Sequence, residues 1–165
     1  MKPFDPLAVQ SIYSSPLGQI HLLANAKALL GVWFEGQDHF PALDSFPSVT
    51  THPVHDMAHA QLHEYFLQRG HGFSLPLDYS VGTEFQQAVW RQLTAIAPGK
   101  TLSYAAIAQA IGRPSAMRAV GAAIGRNPLS IVVPCHRVIG SNGQLTGYAG
   151  GLPRKIALLQ FESAI

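Results

Sequence analysis

Long hydrophobic runs, paired cysteines and a high content of charge are absent from this chain of 165 residues. No apolar stretch reaches the roughly 20 residues that a membrane-spanning helix needs. The N-terminus lacks the basic-then-apolar order of a signal peptide, so we expect a soluble cytoplasmic protein. The single cysteine, Cys135, excludes an internal disulfide. Only 12% of residues are charged and 47% are hydrophobic, which excludes wholesale disorder and suits one domain or two small lobes.

The few charges are distributed unevenly along the chain. Residues 1–83 hold three basic and seven acidic side chains, a net charge of −4. Residues 84–165 hold eight basic and two acidic side chains, a net charge of +6. A basic region with dispersed arginines is suited to a polyanion such as nucleic acid, but a solvated surface with a chance imbalance has the same composition.

The first part of the chain, residues 1–82, predicts a small α/β lobe with a short antiparallel sheet. Its apolar runs are short and separated by turn-forming residues, which is typical of a strand meander. A proline-rich loop and a stretch with helical spacing follow. The predicted elements are strands at 9–13, 19–24 and 29–34, a loop over 36–53, a helix over 54–68 ending at Gly70 and Gly72, and a further strand over 73–79.

The second part, residues 83–165, predicts a mostly helical domain. Its second and third helices are short and closely spaced, so they fit a helix-turn-helix, although such pairs are also common in all-α cores. The predicted elements are helices at 85–95 with Thr83 as N-cap, 104–111 with Ser103 as N-cap, 115–124 and 152–162, and an extended run over 129–133.

Cys135 follows this run of β-forming residues and precedes His136. A free thiol with a pKa of about 8.5 is mostly protonated at neutral pH and needs a nearby base, cation or helix N-terminus to become a nucleophile. In an extended segment His136 points away from the sulfur, so contact requires a turn or a bridging water. The pair is therefore either a working thiol with its base or a buried cysteine beside a surface histidine.

Several stretches of the second part together resemble the O6-alkylguanine-DNA alkyltransferase family. The matching features are the active-site motif PCHRV at 134–138, the recognition-helix motif RAVG at 118–121, the asparagine hinge at 127–128, the domain start TEFQ at 83–86, the pocket loop GYAGG at 147–151, Tyr104 at the base-flipping position and Glu162 at the triad carboxylate position. The resemblance is close over residues 83–162 and covers the first lobe only in general layout.

This resemblance implies stoichiometric, cofactor-free repair of O6-alkylguanine, and of O4-alkylthymine, in double-stranded DNA by a monomer. The damaged base would be flipped into a pocket. Cys135 would then attack the alkyl carbon and keep the alkyl group, so each molecule would act once. The resemblance implies that His136 accepts the thiol proton through a water, that Glu162 orients His136, and that Asn127 holds the turn.

The resemblance also implies how the base and the duplex are held. Arg118 would fill the place of the flipped base in the stack, and the small residues beside it would let the helix approach the minor groove. The implied substrate-binding residues are Tyr104, Val138, Tyr148 and Ala149. The implied DNA-binding residues are Arg118, Tyr104, Arg113, Ala119, Gly121 and Ser141.

Two residues depart from the family pattern. Ala149 stands where many members have serine, and Ser130 stands where some members have proline. The alternative functions are a lesion-binding sensor or helix-turn-helix regulator that does not react, and a cysteine hydrolase that uses Cys135 and His136.

Histidines recur at four-residue steps on the helix predicted over 54–68. They are His55, His59 and His63, with His52 just before. Such spacing suits metal ligands, but this lobe has no cysteine to complete a common structural zinc site. We therefore expect an exposed polar helix face and no bound metal.

Overall fold

The computed structural model describes residues 1–70 and 72–165, which form a mixed α/β fold with five helices and two small sheets. A single 3-10 turn at Cys135–Arg137 accompanies them. The elements are β1 (Val9–Ser15), β2 (Gly18–Ala24), β3 (Leu29–Phe34), α1 (Pro53–Phe66), α2 (Glu84–Thr94), β4 (Leu102–Ser103), α3 (Tyr104–Ala110), α4 (Met117–Gly125), β5 (Val138–Ile139) and α5 (Leu152–Phe161). Within these ranges, no helix is both long and apolar enough to span a bilayer.

The predicted meander is confirmed as an antiparallel sheet in the order β1-β2-β3. Every residue of β3 is buried, because both faces of this strand are covered. Val32 and Phe34 belong to the main core, whereas Trp33 packs with Phe4 and Phe40 in a smaller cluster on the other face. A strand buried on both faces is expected to be continuously apolar, as β3 is.

The segment after α1 differs from the prediction in two ways. The helix ends at Phe66, before the glycines, and Gln68 adopts the left-handed conformation with φ of 57°. Residues 73–79 form no strand; they meet the sheet at one bridge, between Leu29 and Leu77. The adjacent Pro76 accepts a hydrogen bond from Leu29 but has no N–H with which to extend a ladder.

Two helices of the second part, α2 and α3, begin where their capping residues predict, whereas α4, predicted to begin at residue 115, begins at Met117. Thr83 and Gln86 form a reciprocal capping box at the start of α2, and the Ser103 side chain accepts from the backbone of α3. Trp90 is fully buried, and its Nε1 donates to the Ala123 carbonyl at 2.8 Å, which joins α2 to α4. Residues 111–116 connect α3 to α4.

The extended run predicted over 129–133 is wrong; this segment is a tight turn. Ile131 has a φ of 71°, and Val133 donates its N–H to the Leu129 carbonyl at 2.8 Å. Only the beginning of the segment pairs with the sheet: Val32 donates to Pro128 and accepts from Ser130. These β-forming residues are apolar because the turn is buried.

One continuous core joins residues from before and after position 83. It contains Val32 and Phe34 of the sheet as well as Trp90, Val133 and Leu158. The division into units 1–82 and 83–165 stays a prediction.

Candidate active site

Cys135 lies at the start of the 3-10 turn and is 5% exposed. The Pro134 carbonyl accepts from Arg137 N at 3.0 Å, and the Cys135 carbonyl accepts from Val138 N. The backbone therefore turns at the cysteine, so the geometry of an extended strand, which would separate Cys135 from His136, does not apply here.

Asn127 supports the turn from the preceding loop and is buried. Its Nδ2 donates to the Val133 carbonyl at 2.9 Å, and its Oδ1 accepts from Leu129 N at 3.0 Å. Both bonds stabilise the loop between Asn127 and Cys135. Asn127 therefore holds the backbone of the segment that leads to Cys135.

Burial favours the protonated thiol of Cys135 over the thiolate. Burial raises its pKa, and this outweighs the hydrogen bond from Asn127, the positive charge of Lys155 and the backbone N–H groups of Cys135 and His136, which lower it. A nucleophilic thiolate at this position therefore requires a base that removes the proton.

His136 and Glu162 form a pair whose side chains are completely buried. His136 Nε2 lies 2.8 Å from Glu162 Oε1. Because Nε2–H donates to the carboxylate, Nδ1 of the neutral ring is the acceptor. This Nδ1 atom is buried and makes no hydrogen bond to any residue in 1–70 or 72–165. Burial lowers the pKa of His136 despite the opposing effect of Glu162, so the ring is neutral and its Nδ1 can take a proton.

The Glu162 carboxylate accepts four hydrogen bonds from side chains that the structure describes. Arg137 donates through Nε to Oε2 and through Nη2 to Oε1, both at 2.8 Å. His136 and the Tyr65 hydroxyl donate to Oε1, also at 2.8 Å. Burial raises the pKa of Glu162, but the bonds from Arg137 and His136 outweigh burial and hold the pKa at about 2. The carboxylate is thus negative at any working pH.

Sequence reasoning missed Tyr65 and the role of Arg137. Arg137 lies within the active-site motif, and its position next to His136 was a signal that it belongs to the site. Tyr65 lies in α1, 97 residues from Glu162, and no pattern in the sequence connects the two.

Lys155 is a further buried residue that sequence reasoning missed. Its Nζ donates to the carbonyls of Val138 at 2.5 Å, Thr146 at 2.9 Å and Gly147 at 3.3 Å. Burial lowers its pKa to about 8, opposed by the negative form of Cys135. Lys155 precedes the buried residues Leu158 and Leu159 by three and four positions, and this helical spacing was a signal that it faces inward.

A cleft of about 350 Å³ opens above Cys135. Tyr104, Tyr148 and Ala149, three of the four predicted substrate-binding residues, meet there. The Tyr104 hydroxyl donates to the Thr146 carbonyl at 3.3 Å. The described residues that line it are Asp38, His39, Tyr104, Gly121, Ile124, Gly125, Cys135, Thr146, Gly147, Tyr148 and Ala149.

Val138, the fourth predicted substrate-binding residue, is buried outside the lining of this cleft. Its carbonyl already accepts from Lys155. A carbonyl has two lone pairs, so a second donor can still bind there.

The predicted DNA-binding residues differ in exposure. Gly121 and Tyr104 are adjacent in the cleft: a Cβ on Gly121 would lie 3.9 Å from the Tyr104 ring. The remaining four are exposed side chains on α4, on the connection before it and in the loop after β5. They are Arg118, Ala119, Arg113 and Ser141.

The first lobe contributes to the cleft through the turn after β3, which sequence reasoning did not assign to the site. Asp38 and His39 line the cleft, and Asp38 N donates to the Ala149 carbonyl at 2.9 Å. The neighbouring Gln37 is buried, and its Oε1 accepts from Phe34 N at 2.8 Å and from the Ser130 hydroxyl at 3.2 Å.

The sequence predicts that the histidines of α1 lie on an exposed face, and this prediction is wrong for His55. His55 is buried, its Nε2–H donates to the Val9 carbonyl at 3.1 Å, and its Nδ1 bonds to Ser11. Burial lowers the pKa of His55 to about 4. In the part of the chain that the structure describes, no group of three or more histidine, cysteine, aspartate or glutamate side chains could hold a metal ion.

Two family descriptions match the chain. The DNA binding domain of 6-O-methylguanine DNA methyltransferase matches residues 84–164, and the ribonuclease-like domain of 6-O-methylguanine DNA methyltransferase matches residues 8–79. Together these matches reach over both parts of the molecule.

Named relatives and solved structures agree with these matches. The methylated-DNA–protein-cysteine methyltransferases of Mycobacterium leprae and Methanosarcina acetivorans are 43% and 44% identical, over 90% and 93% of this chain and 88% and 97% of theirs. The Mycobacterium tuberculosis O6-methylguanine methyltransferase superposes with a TM-score of 0.86 at 41% identity, covering 95% of this chain and 93% of that one. The structure of Mycobacterium tuberculosis OGT in complex with DNA gives 0.84 at 40% identity, covering 95% and 92%.

Proposed function

Because this chain belongs to the methylated-DNA–protein-cysteine methyltransferase family, we propose that Cys135 is the residue that accepts the alkyl group. The protein repairs DNA by direct reversal, transferring an alkyl group from O6-alkylguanine to its own cysteine. One observation carries the assignment of Cys135: the thiol borders a cleft and adjoins the buried His136–Glu162 pair.

The transfer begins with removal of the thiol proton. His136 Nδ1 accepts this proton through a water, and Glu162 stabilises the imidazolium that forms. The negative charge of Glu162, with its pKa at about 2, favours this step. Lys155 also favours the thiolate through its positive charge, as Asn127 does through its hydrogen bond.

The thiolate of Cys135 then displaces guanine from the alkyl carbon. A sulfur–carbon bond forms as the bond between the alkyl carbon and O6 breaks, and its electron pair leaves with guanine. The base takes up one proton and is restored. The thioether is stable, so each molecule acts once. Tyr104 donates toward the purine, the backbone at Val138 binds its exocyclic amine, and the segment of Tyr148 and Ala149 covers O6.

DNA binding is assigned to α3 and α4, acting as a helix-turn-helix on duplex DNA that contains the lesion. Arg118 occupies the place of the flipped base, and Ala119 and Gly121 allow close approach of α4 to the minor groove. Arg113 and Ser141 contact phosphates. This basic unit, 83–165, works beside the lobe 1–82, as a monomer and in the cytoplasm.

The test is the intact mass of the protein after it is mixed with a duplex containing O6-methylguanine. We expect one added methyl group per molecule, located on Cys135 by peptide mapping, and no second turnover with excess DNA. Binding without modification would instead indicate a lesion sensor. Repeated turnover on a small ester or amide would indicate a cysteine hydrolase.

A further inference from the structure

We propose that Tyr65 of the first lobe is a positioning residue for alkyl transfer, acting on His136 through the carboxylate of Glu162. The inference rests on the proposed function, since it assigns His136 as the base. It makes α1 part of the catalytic apparatus, although α1 contributes no residue to the cleft lining.

The contact is short, buried and shared with the base. The Tyr65 hydroxyl lies 2.8 Å from Glu162 Oε1, and Tyr65 is 1% exposed. His136 Nε2 donates to this same oxygen at 2.8 Å. Tyr65 and His136 therefore compete for the charge of one oxygen atom.

The direction of the hydrogen bond follows from the two groups. Burial raises the pKa of the Tyr65 phenol, and the nearby charge of Glu162 raises it further, so the phenol stays protonated. The pKa of Glu162 lies at about 2, so its carboxylate carries no proton at neutral pH. Tyr65 is thus the donor and Glu162 the acceptor under all working conditions.

Arg137 separates the electrostatic role of Tyr65 from a merely structural one. Its guanidinium binds both oxygens of Glu162, so the orientation of the carboxylate is held without Tyr65. What the phenol adds is withdrawal of charge from Oε1. The negative charge on Oε1 stabilises the imidazolium form of His136. Because Tyr65 reduces this charge, it lowers the pKa of His136 and keeps the ring a neutral base.

The other groups around this pair remain in place when Tyr65 is changed. Cys135 and Arg137 face it from the 3-10 turn and Lys155 from α5, whereas Tyr148 of the pocket loop faces Cys135 and Tyr65. Tyr65 reaches the pair from α1 of the first lobe, through its hydroxyl. A change in the titration of His136 in a Tyr65 variant therefore reports the lost phenol.

The experiment measures the single-turnover rate constant of methyl transfer against pH for the unmodified protein and for Tyr65→Phe. We expect the midpoint of the acidic limb to rise by about half a pH unit in the variant, as one hydrogen bond to the carboxylate is lost. The rate constant then falls about threefold below the midpoint and is unchanged on the plateau. Affinity for the duplex stays the same.

The matched control is Tyr13→Phe, which removes a phenolic oxygen from the same lobe. Tyr13 stacks on Phe66, the neighbour of Tyr65, and makes no contact with Glu162 among the described hydrogen bonds. Its profile should coincide with that of the unmodified protein. A uniform loss of rate at every pH in Tyr65→Phe, or a profile identical to that of Tyr13→Phe, would overturn the proposal.

Two further measurements keep the proposal testable without relying on one variant. A 3-fluorotyrosine at position 65 is a stronger donor and should move the midpoint downward, opposite to Tyr65→Phe; no shift, or a shift in the same direction, would contradict the mechanism. Nitrogen NMR of the His136 ring follows its titration directly in each protein. If the unmodified protein accepts no methyl group, the proposed function fails, whereas the NMR titration still decides the role of Tyr65.

Discussion

The two parts of this molecule differ in whether their sequence contains recognisable functional motifs. Residues 84–165 are basic and carry Cys135, His136 and Glu162, which are recognisable as motifs. Residues 1–83 are acidic and contain no such motif. Yet the first part binds the site of the second at several points, so an acidic, motif-free lobe still belongs to the active site.

Three hydrogen bonds from the first part reach three different segments of the site. Val32 of β3 hydrogen-bonds to the turn that precedes Cys135. Asp38 binds the backbone of the pocket loop, and Tyr65 binds the carboxylate of Glu162. The second part therefore contains the reacting groups, and the first part holds them in place. The following predictions test this division, from the largest effect to the smallest.

Cys135→Ser should abolish methyl transfer while leaving duplex binding intact. The serine hydroxyl is a much weaker nucleophile than a thiolate, and the exposed DNA-binding residues are unchanged. Intact mass after incubation with the O6-methylguanine duplex measures transfer, and a gel shift measures binding. Transfer to any other residue would show that the second part does not hold the acceptor as proposed.

Glu162→Gln removes the negative charge that accepts hydrogen bonds from Tyr65 of the first part and His136 of the second. Arg137 would be left as a buried cation without its carboxylate, a loss that costs about 3–5 kcal/mol in the free energy of unfolding. Methyl transfer should slow about 100-fold, since the imidazolium loses its stabilising charge. Denaturant unfolding and single-turnover kinetics check the two effects. DNA affinity should change little, and a large loss of affinity would argue against a purely catalytic position.

Acid should weaken the two parts in different pH ranges. The pKa of Glu162 is lowered to about 2, so its contribution is present above about pH 4.5 and is lost as the pH falls toward 2, by about 3 kcal/mol in total. The pKa of His55 is lowered to about 4, so the unfolded chain binds a proton more readily and stability falls from about pH 6.5 to 4. The free energy of unfolding against pH should show both ranges. His55→Gln should reduce the loss of stability in the upper range, to which the lowered pKa of His136 also contributes, and should leave the lower range unchanged.

Arg118→Ala should reduce repair of the duplex about 10- to 100-fold while leaving the reaction with free O6-methylguanine unchanged. The guanidinium acts only when a base must be displaced from the stack. Arg126→Ala is the control, because Arg126 is also exposed and lies at the other end of α4. Equal losses on both substrates would remove the stacking role.

Gln37→Ala tests how firmly the first lobe holds the turn before the cysteine. The variant leaves Phe34 N–H and the Ser130 hydroxyl without their buried acceptor, which costs about 1–3 kcal/mol. Thermal unfolding measures this loss. Methyl transfer should fall no more than a few-fold, and a larger loss of transfer would mean that the first lobe does more than support the site.

Much of this molecule could be predicted because its signals are local. The caps at Thr83 and Ser103 and the three strands of the sheet depend on residues a few positions apart. The motif around Cys135 likewise lies in one short stretch. The failed predictions, over 73–79 and 129–133, are apolar segments whose composition fits a strand. Packing against the core, partial over 73–79 and complete over 129–133, explains the apolar residues of both segments. A proline in the first segment and a positive φ in the second end the pairing.

The contacts of Tyr65, Asp38 and Gln37 with the site had no counterpart in the sequence pattern. Each joins residues about 90 or more positions apart, and periodicity and capping act over no more than a turn or two. The chemistry could therefore be predicted from the residues between Arg118 and Glu162, because those side chains react or bind through local geometry. How the first lobe shapes that chemistry depends on which surfaces pack together, and only the folded core brings α1 and the turn after β3 to Glu162 and Ala149.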